Sequence, residues 1–221
     1  MRRTLPLLVM LSSTLICPAS VQAQQPHQQE LARIMSGLRS NWQNLPGLSA
    51  RFTHTFEWVL AGETQVTRGN IHLAGRNRFR IEFDGRVMVS DGATLWDYDP
   101  RQNQVLLHKV DSSHNITTQE QLFAAYTENV DVEWVREEME GTSRLIIIRL
   151  MRGEEADPRT VNVWIDTGYM LAVRAEYTDG AGNNHLYILE DIQVVEQPAE
   201  RFKFTIPEGV VVVDLRPGDG A

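Results

Sequence analysis

The sequence predicts a mainly β protein with a few α-helices, built as one domain on an apolar core. Three observations predict it. Apolar and polar residues alternate with a period of two over most of the chain. Turn pairs such as Asp84-Gly85, Asp91-Gly92, Glu140-Gly141 and Asp179-Gly180 separate the alternating stretches. Only two segments carry a helical signature, and no linker, repeat or low-complexity block divides the chain.

The first residues read as an export signal. Arg2 and Arg3 supply a positive start, Leu5 through Ile16 is mostly apolar, and Val21-Gln22-Ala23 offers a small-residue cleavage site. The apolar run is too short for a bilayer core of roughly 30 Å. Cys17 raises the alternative of lipoprotein cleavage, but Ile16 stands where such sites want a small residue. Cleavage is expected after Ala23, with no lipid anchor, leaving residues 24–221 as one domain. The single Cys leaves with the signal, so no internal disulfide can form and the fold must rest on its core. Loss of Arg2 and Arg3, with no acid lost, takes the formal net charge from −8 to −10. That balance, without basic runs, excludes nucleic acid and anionic headgroups as attractors.

The first helix follows. Leu31, Ile34, Met35, Leu38 and Trp42 form one apolar stripe, which Pro46-Gly47 stops. Phe52, His54, Phe56, Trp58 and Leu60 then alternate with Arg51, Thr53, Thr55, Glu57 and Val59 as a strand with an aromatic face. Phe79, Ile81 and Phe83 alternate with Arg78, Arg80 and Glu82 in the same way. Further strands are predicted near 65–73, 87–89, 94–98 and 104–110. A second helix is predicted at Thr118-Gln119-Glu120-Gln121, a capping-box spacing, with Leu122, Phe123 and Tyr126 on one side. Strands resume near 130–137, 144–150, 161–165, 170–177, 185–195 and 210–215. Roughly a dozen strands in one meander tend to curl or split. A curved, incompletely closed barrel with helices over its opening and a two-sheet sandwich both satisfy the pattern.

The sequence offers little chemistry. The six histidines show no H-x-H or H-x-x-x-H pair, and no Cys remains to complete a metal set. No phosphate loop, dinucleotide fingerprint or nucleophile elbow is present. Asp97-Tyr98-Asp99 resembles the start of a calcium loop, but Pro100 intervenes and Gln102 stands where Gly is needed, so a turn is the better reading. His54 reads as a hydrogen-bonded core histidine. The paired acids Glu137-Glu138 and Glu154-Glu155 read as solvated charge at hairpin ends. Neither cofactor nor metal is expected, and no enzymatic activity.

Four segments together resemble the LolA family of periplasmic lipoprotein carriers. They are Leu48-Ser49-Ala50-Arg51-Phe52; Gly69-Asn70-Ile71-His72-Leu73 with Arg78-Phe79-Arg80-Ile81-Glu82; Val89-Ser90-Asp91-Gly92-Ala93-Thr94-Leu95-Trp96-Asp97-Tyr98-Asp99-Pro100; and Phe202-Lys203-Phe204-Thr205-Ile206-Pro207-Glu208-Gly209-Val210. The resemblance implies a single strongly curved antiparallel sheet, a half-barrel covered by a helical lid. It implies a periplasmic chaperone that takes triacylated lipoproteins from an inner-membrane ABC transporter of the Lol pathway and passes them to an outer-membrane acceptor. Its acyl cavity is expected to be lined by Leu31, Met35, Leu38, Phe52, Phe56, Phe79, Ile81 and Phe83, under a lid bearing Leu122, Phe123 and Tyr126. The family commonly places a lid-latching Arg four residues before the position of Phe79; here Gly75 stands there, leaving Arg76 or Arg78 as substitutes. A monomer is expected. The runner-up is a related half-barrel that binds another lipid or senses lipoproteins to regulate a partner. A hydrolase of envelope lipids is the third reading.

Overall fold

The computed structural model describes residues 24–75, 77–110 and 130–216. It opens with helix α1 (Gln24–Asn44). Then come β1 (Leu48–Trp58), β2 (Glu63–Ala74), β3 (Arg78–Phe83), β4 (Arg86–Asp91), β5 (Thr94–Asp99) and β6 (Gln104–Lys109). The later strands are β7 (Asp131–Glu140), β8 (Ser143–Met151), β9 (Thr160–Asp166), β10 (Leu171–Thr178) and β11 (Asn184–Val194). A short 3-10 turn at Ala199–Phe202 leads to β12 (Val211–Asp214). The helix predicted at 118–126, with Leu122, Phe123 and Tyr126, lies outside the described residues, as do Arg76 and the export segment.

All twelve strands form one sheet in the order β12-β6-β5-β4-β3-β2-β1-β11-β10-β9-β8-β7. The outer strands β12 and β7 are not paired with each other, so the sheet is open, and the sandwich alternative is ruled out. Pairing is antiparallel except at one edge, where β12 runs parallel to β6, Val211 facing Gln104. The chain reaches that edge through the 3-10 turn rather than a hairpin, which permits the parallel direction.

Local chemistry bends this sheet. Extra residues interrupt the register of β11 opposite Ser49/Arg51, of β10 at Ala172/Arg174 and of β7 at Trp134/Arg136. Such bulges add twist and kink the strand. Asp191, in the β11 bulge, has φ 52 and pairs its carboxylate with Arg51 at 2.6 Å. Gly69 adds a second device: Phe52, directly across the β1–β2 pair, lays its ring over the bare glycine backbone.

The α1 stripe folds as predicted, with Ile34 at 1 % and Leu38 at 3 % exposure. Ile34, Met35 and Leu38 pack against Ile146, Ile148, Val163 and Ile165, with Leu31 and Trp134 at the margin. The Asn41 side-chain amide donates to the Tyr169 and Met170 carbonyls, both at 3.1 Å, fixing the helix to the β9–β10 turn. A second core joins Leu48, Ala50, Ile71, Leu73, Phe79, Ile81 and Leu95, and it receives Trp42 and Leu45 from the helix end. Strand alternation puts both cores on one face, from β7 across to β5. A single helix can reach both only if the sheet wraps round it, so this face is concave. The outer face has its own cover. Trp164, with Leu145 and Ile147, lies between the guanidinium groups of Arg136 and Arg174 and donates to Glu138 at 2.8 Å. Phe202 is buried beneath Arg78, and Phe204 lies against Trp96 and Tyr98.

Candidate functional site

Helix α1 covers only part of the concave face. Beyond it a set of mostly aromatic side chains remains half-buried: Phe52, His54 and Phe56 on β1, Phe83 on β3, Tyr177 on β10, and His185 and Tyr187 on β11. The register explains the grouping. His54 faces Tyr187, Phe56 faces His185, and His185 faces Tyr177. His54 stacks on Tyr187 at 4.1 Å and Tyr177 on His185 at 4.6 Å, while Phe52 meets Phe83 edge-on at 6.2 Å. Leu189 and Met88 extend the patch toward the second core.

One polar thread runs through this surface. His54 Nε2 lies 3.2 Å from His185 Nδ1, and His185 Nε2 lies 3.2 Å from Asp179 Oδ2. Asp179 is fixed by the amides of Ala181 and Asn183 at 3.0 and 2.8 Å. Those backbone donors, foremost Asn183, with His185 adding to them, hold its carboxyl at about 2. With His185 Nε2–H donating to the carboxylate, its Nδ1 is left to accept, and the Nε2–H tautomer of His54 donates. Burial, and next the neighbouring His185, push His54 down to about 4, so it is neutral near pH 7. Burial likewise raises the Tyr177 phenol. A further charge on this face is neutralised: Asp97, 8 % exposed, takes a forked bond from Arg86, with Nε at 2.7 Å. Asp97 is therefore a structural ion-pair partner at the end of β5, with a turn closing at Pro100–Asn103. Stacked rings whose polar atoms bond to one another suit hydrocarbon, because those atoms find their partners within the protein.

The predicted cavity residues divide in two. Met35, Leu38, Phe79 and Ile81 are buried in the packed cores; Leu31, Phe52, Phe56 and Phe83 are half-buried. All eight stand on the α1 face. Arg78 donates from Nε to the Gly75 carbonyl at 3.1 Å and stands 5.6 Å from the Phe202 ring, tying the β2–β3 turn to the C-terminal segment. Tyr177, His185 and Tyr187 were not singled out from the sequence as site residues. The alternation His185-Tyr187-Leu189 was the available signal, weakened by Glu190 and Asp191 directly after it. A hollow of about 870 Å³ opens past the far end of the patch, lined by Thr55, Glu57, Asp157, Arg159 and Asp179 among others. Tyr177 and His185 also line it, so it adjoins the aromatic surface.

Comparison with known proteins agrees with this arrangement. The profile of the family described as "Outer membrane lipoprotein carrier protein LolA" matches residues 43–205. An outer-membrane lipoprotein carrier protein of Haemophilus ducreyi is 28 % identical over 183 residues, 81 % of this chain and 84 % of that one. One from Actinobacillus pleuropneumoniae serotype 7 is 25 % identical over 190 residues, 85 % of this chain and 86 % of its own. An uncharacterized conserved protein of Thermus thermophilus shares the fold with a TM-score of 0.58 at 13 % identity, over 84 % of this chain and 99 % of that one. With the profile spanning most of the described residues and the open sheet in place, the chain belongs to the LolA family of outer membrane lipoprotein carrier proteins.

Proposed function

We propose that this protein is exported to the periplasm, with its signal removed after Ala23, and works there as a monomeric carrier. It accepts triacylated lipoproteins released by an inner-membrane ABC transporter, shields their acyl chains on the concave face and hands them to an outer-membrane acceptor. The observation that carries the reading is the aromatic part of that face which α1 leaves half-exposed. Acyl chains in water cost about 0.8 kcal/mol per CH₂, so a soluble carrier must cover them. Apolar contact is non-directional, so the same surface can release them. Binding is expected to need neither metal nor nucleotide.

In this reading the half-buried residues, Leu31, Phe52, Phe56 and Phe83, contact the ligand, while Met35, Leu38, Phe79 and Ile81 form the floor that holds them. The segment bearing Leu122, Phe123 and Tyr126 closes over them, as its capping box and apolar side suggest. The test is a fluorescent fatty-acyl probe titrated into purified protein, with native mass spectrometry of the cargo carried from the cell. Phe56→Asp and Phe83→Asp should each weaken probe binding at least tenfold, about 1.4 kcal/mol, because each sets a charge against hydrocarbon. Phe123→Asp should weaken it too, with little change in a denaturant melt. Full affinity in both Phe56→Asp and Phe83→Asp would remove the concave face as the acyl site.

A further inference from the structure

The β1–β2 hairpin overhangs β3 on one side and, on the other, ends in a turn just past its last pair with β11. Strand β3 pairs with β2 only from Gly69 onward, and β11 pairs with β1 only as far as Glu57. Residues Glu63 to Arg68 of β2 therefore have no neighbour on the β3 side. At about 3.3 Å per residue, β2 overhangs β3 by roughly 20 Å, while β11 flanks β1 up to the tip. Its tip carries three consecutive apolar residues in solvent: Trp58 at 48 %, Val59 at 50 % and Leu60 at 87 % exposure. The tip is an ordered turn. The amides of Ala61 and Gly62 both donate to the Trp58 carbonyl, at 3.1 and 2.9 Å, and Gly62 takes the left-handed φ of +67° that closes it. Single exposed hydrophobics are ordinary, but a contiguous apolar run held in solvent at a hairpin tip marks a contact surface. By strand alternation Trp58 continues the line of Phe52, His54 and Phe56. An apolar track thus runs along β1 from the concavity to the tip.

We propose that the Trp58-Val59-Leu60 tip is a lipid-docking element that enters the interfacial layer of a bilayer and sets the open end of the concave face against the membrane. The chemistry of the tip selects this partner. Trp places an amphipathic ring at the headgroup level, and Val and Leu reach the acyl boundary behind it. The charges in the hairpin from Glu57 to Arg68 are Glu57, Glu63 and Arg68, with Arg68 at its base and no Lys or Arg at the tip. Attraction to anionic headgroups is therefore not the driving force; insertion is apolar, weak, reversible and favoured on zwitterionic lipid. A convex hairpin tip offers no groove for a partner's helix, whereas a fluid interface deforms around it. The consequence for transfer rests on the carrier reading above: an acyl chain moves along the β1 track between bilayer and concavity without crossing water.

The experiment uses purified protein with phosphatidylcholine vesicles in a flotation assay, and the same vesicles with brominated acyl chains to quench tryptophan. Wild type should float with the vesicles and lose Trp58 fluorescence to the bromolipid, a loss absent in Trp58→Phe. Leu60→Asp should lower the vesicle partition coefficient at least tenfold with an unchanged melt, since Leu60 is almost fully exposed. Its affinity for a soluble acyl probe should equal that of wild type. Wild-type protein that stays with the soluble fraction, or Leu60→Asp that floats as wild type does, overturns the proposal. Loss of soluble-probe binding in Leu60→Asp also overturns it, by making the tip part of the cavity. Vesicle binding that is sensitive to Leu60 in a protein with no affinity for acyl probes overturns the carrier reading and leaves the docking tip standing.

Discussion

Gly69 stands where a side chain has no room. A Cβ there would lie 2.6 Å from Cε1 of Phe52 and closer still to the backbone oxygen of Glu82. The ring can turn away, but the strand carbonyl cannot. Gly69→Ala should destabilise by about 2–3 kcal/mol in a denaturant melt. Adding Phe52→Ala should not restore stability, because the clash with Glu82 remains; recovery would show that the ring alone fixes the glycine. His54 is the second informative residue. Its folded value of about 4 lies below its ordinary 6.5, so between those values the unfolded chain takes up a proton that the native ring refuses. Stability from this group is fully present above pH 6.5, falls as pH drops through the window, and changes no further below about 4. The full shift equals about 3 kcal/mol, and solvent screening of the half-buried ring reduces it to about 1–2 kcal/mol. His54→Leu should flatten unfolding free energy between pH 6.5 and 4. A further loss as pH falls from about 4 toward 2 should persist, since the depressed Asp179 carboxyl must then be protonated. An unchanged pH slope in His54→Leu would show that another group governs the window.

Among the elements, α1 is a core helix. Leu38 is 3 % exposed against Ile146, Ile148 and Val163, so Leu38→Ala should cost about 2–5 kcal/mol, checked by thermal and denaturant melts. A cost below about 1 kcal/mol would show that α1 is a loose cover. The helix was legible in the sequence because its apolar stripe is strict, and the strands because turn pairs bound each alternating run. Strand existence is a local property, and β3 coincides with its predicted span of alternation. The division of the predicted cavity residues was not legible. Phe52 and Phe79 obey the same alternation and join the same core, yet one is half-buried and the other packed; the difference lies in tertiary packing, which neither strand encodes. The outer-face cover of Phe202 and Phe204 was hidden for the same reason, since the stretch from Ala199 to Val210 has no sustained period. The parallel β12–β6 edge was out of reach because it joins residues far apart in the chain, Val211 with Gln104.

At the scale of the whole molecule, the sheet is two runs of neighbouring strands joined by one seam. Strands β1 to β6 are each adjacent to their successor, as are β7 to β11, and the pair β1–β11 unites the two halves. His54 and His185 meet across that seam at a sequence separation of 131. Each half can assemble from short-range hairpins, but the seam must close a very long loop before it gains any contact, which places this topology among slow folders. Chain order sharpens the consequence. As the polypeptide emerges from its N-terminus, β1 and β2 are present long before β11, so β1 waits with an unsatisfied edge and with Phe52 and Phe56 beside it. A bare apolar edge strand is a template for pairing with another chain. The nascent chain therefore passes through an aggregation-prone stage that ends only when its eleventh strand arrives.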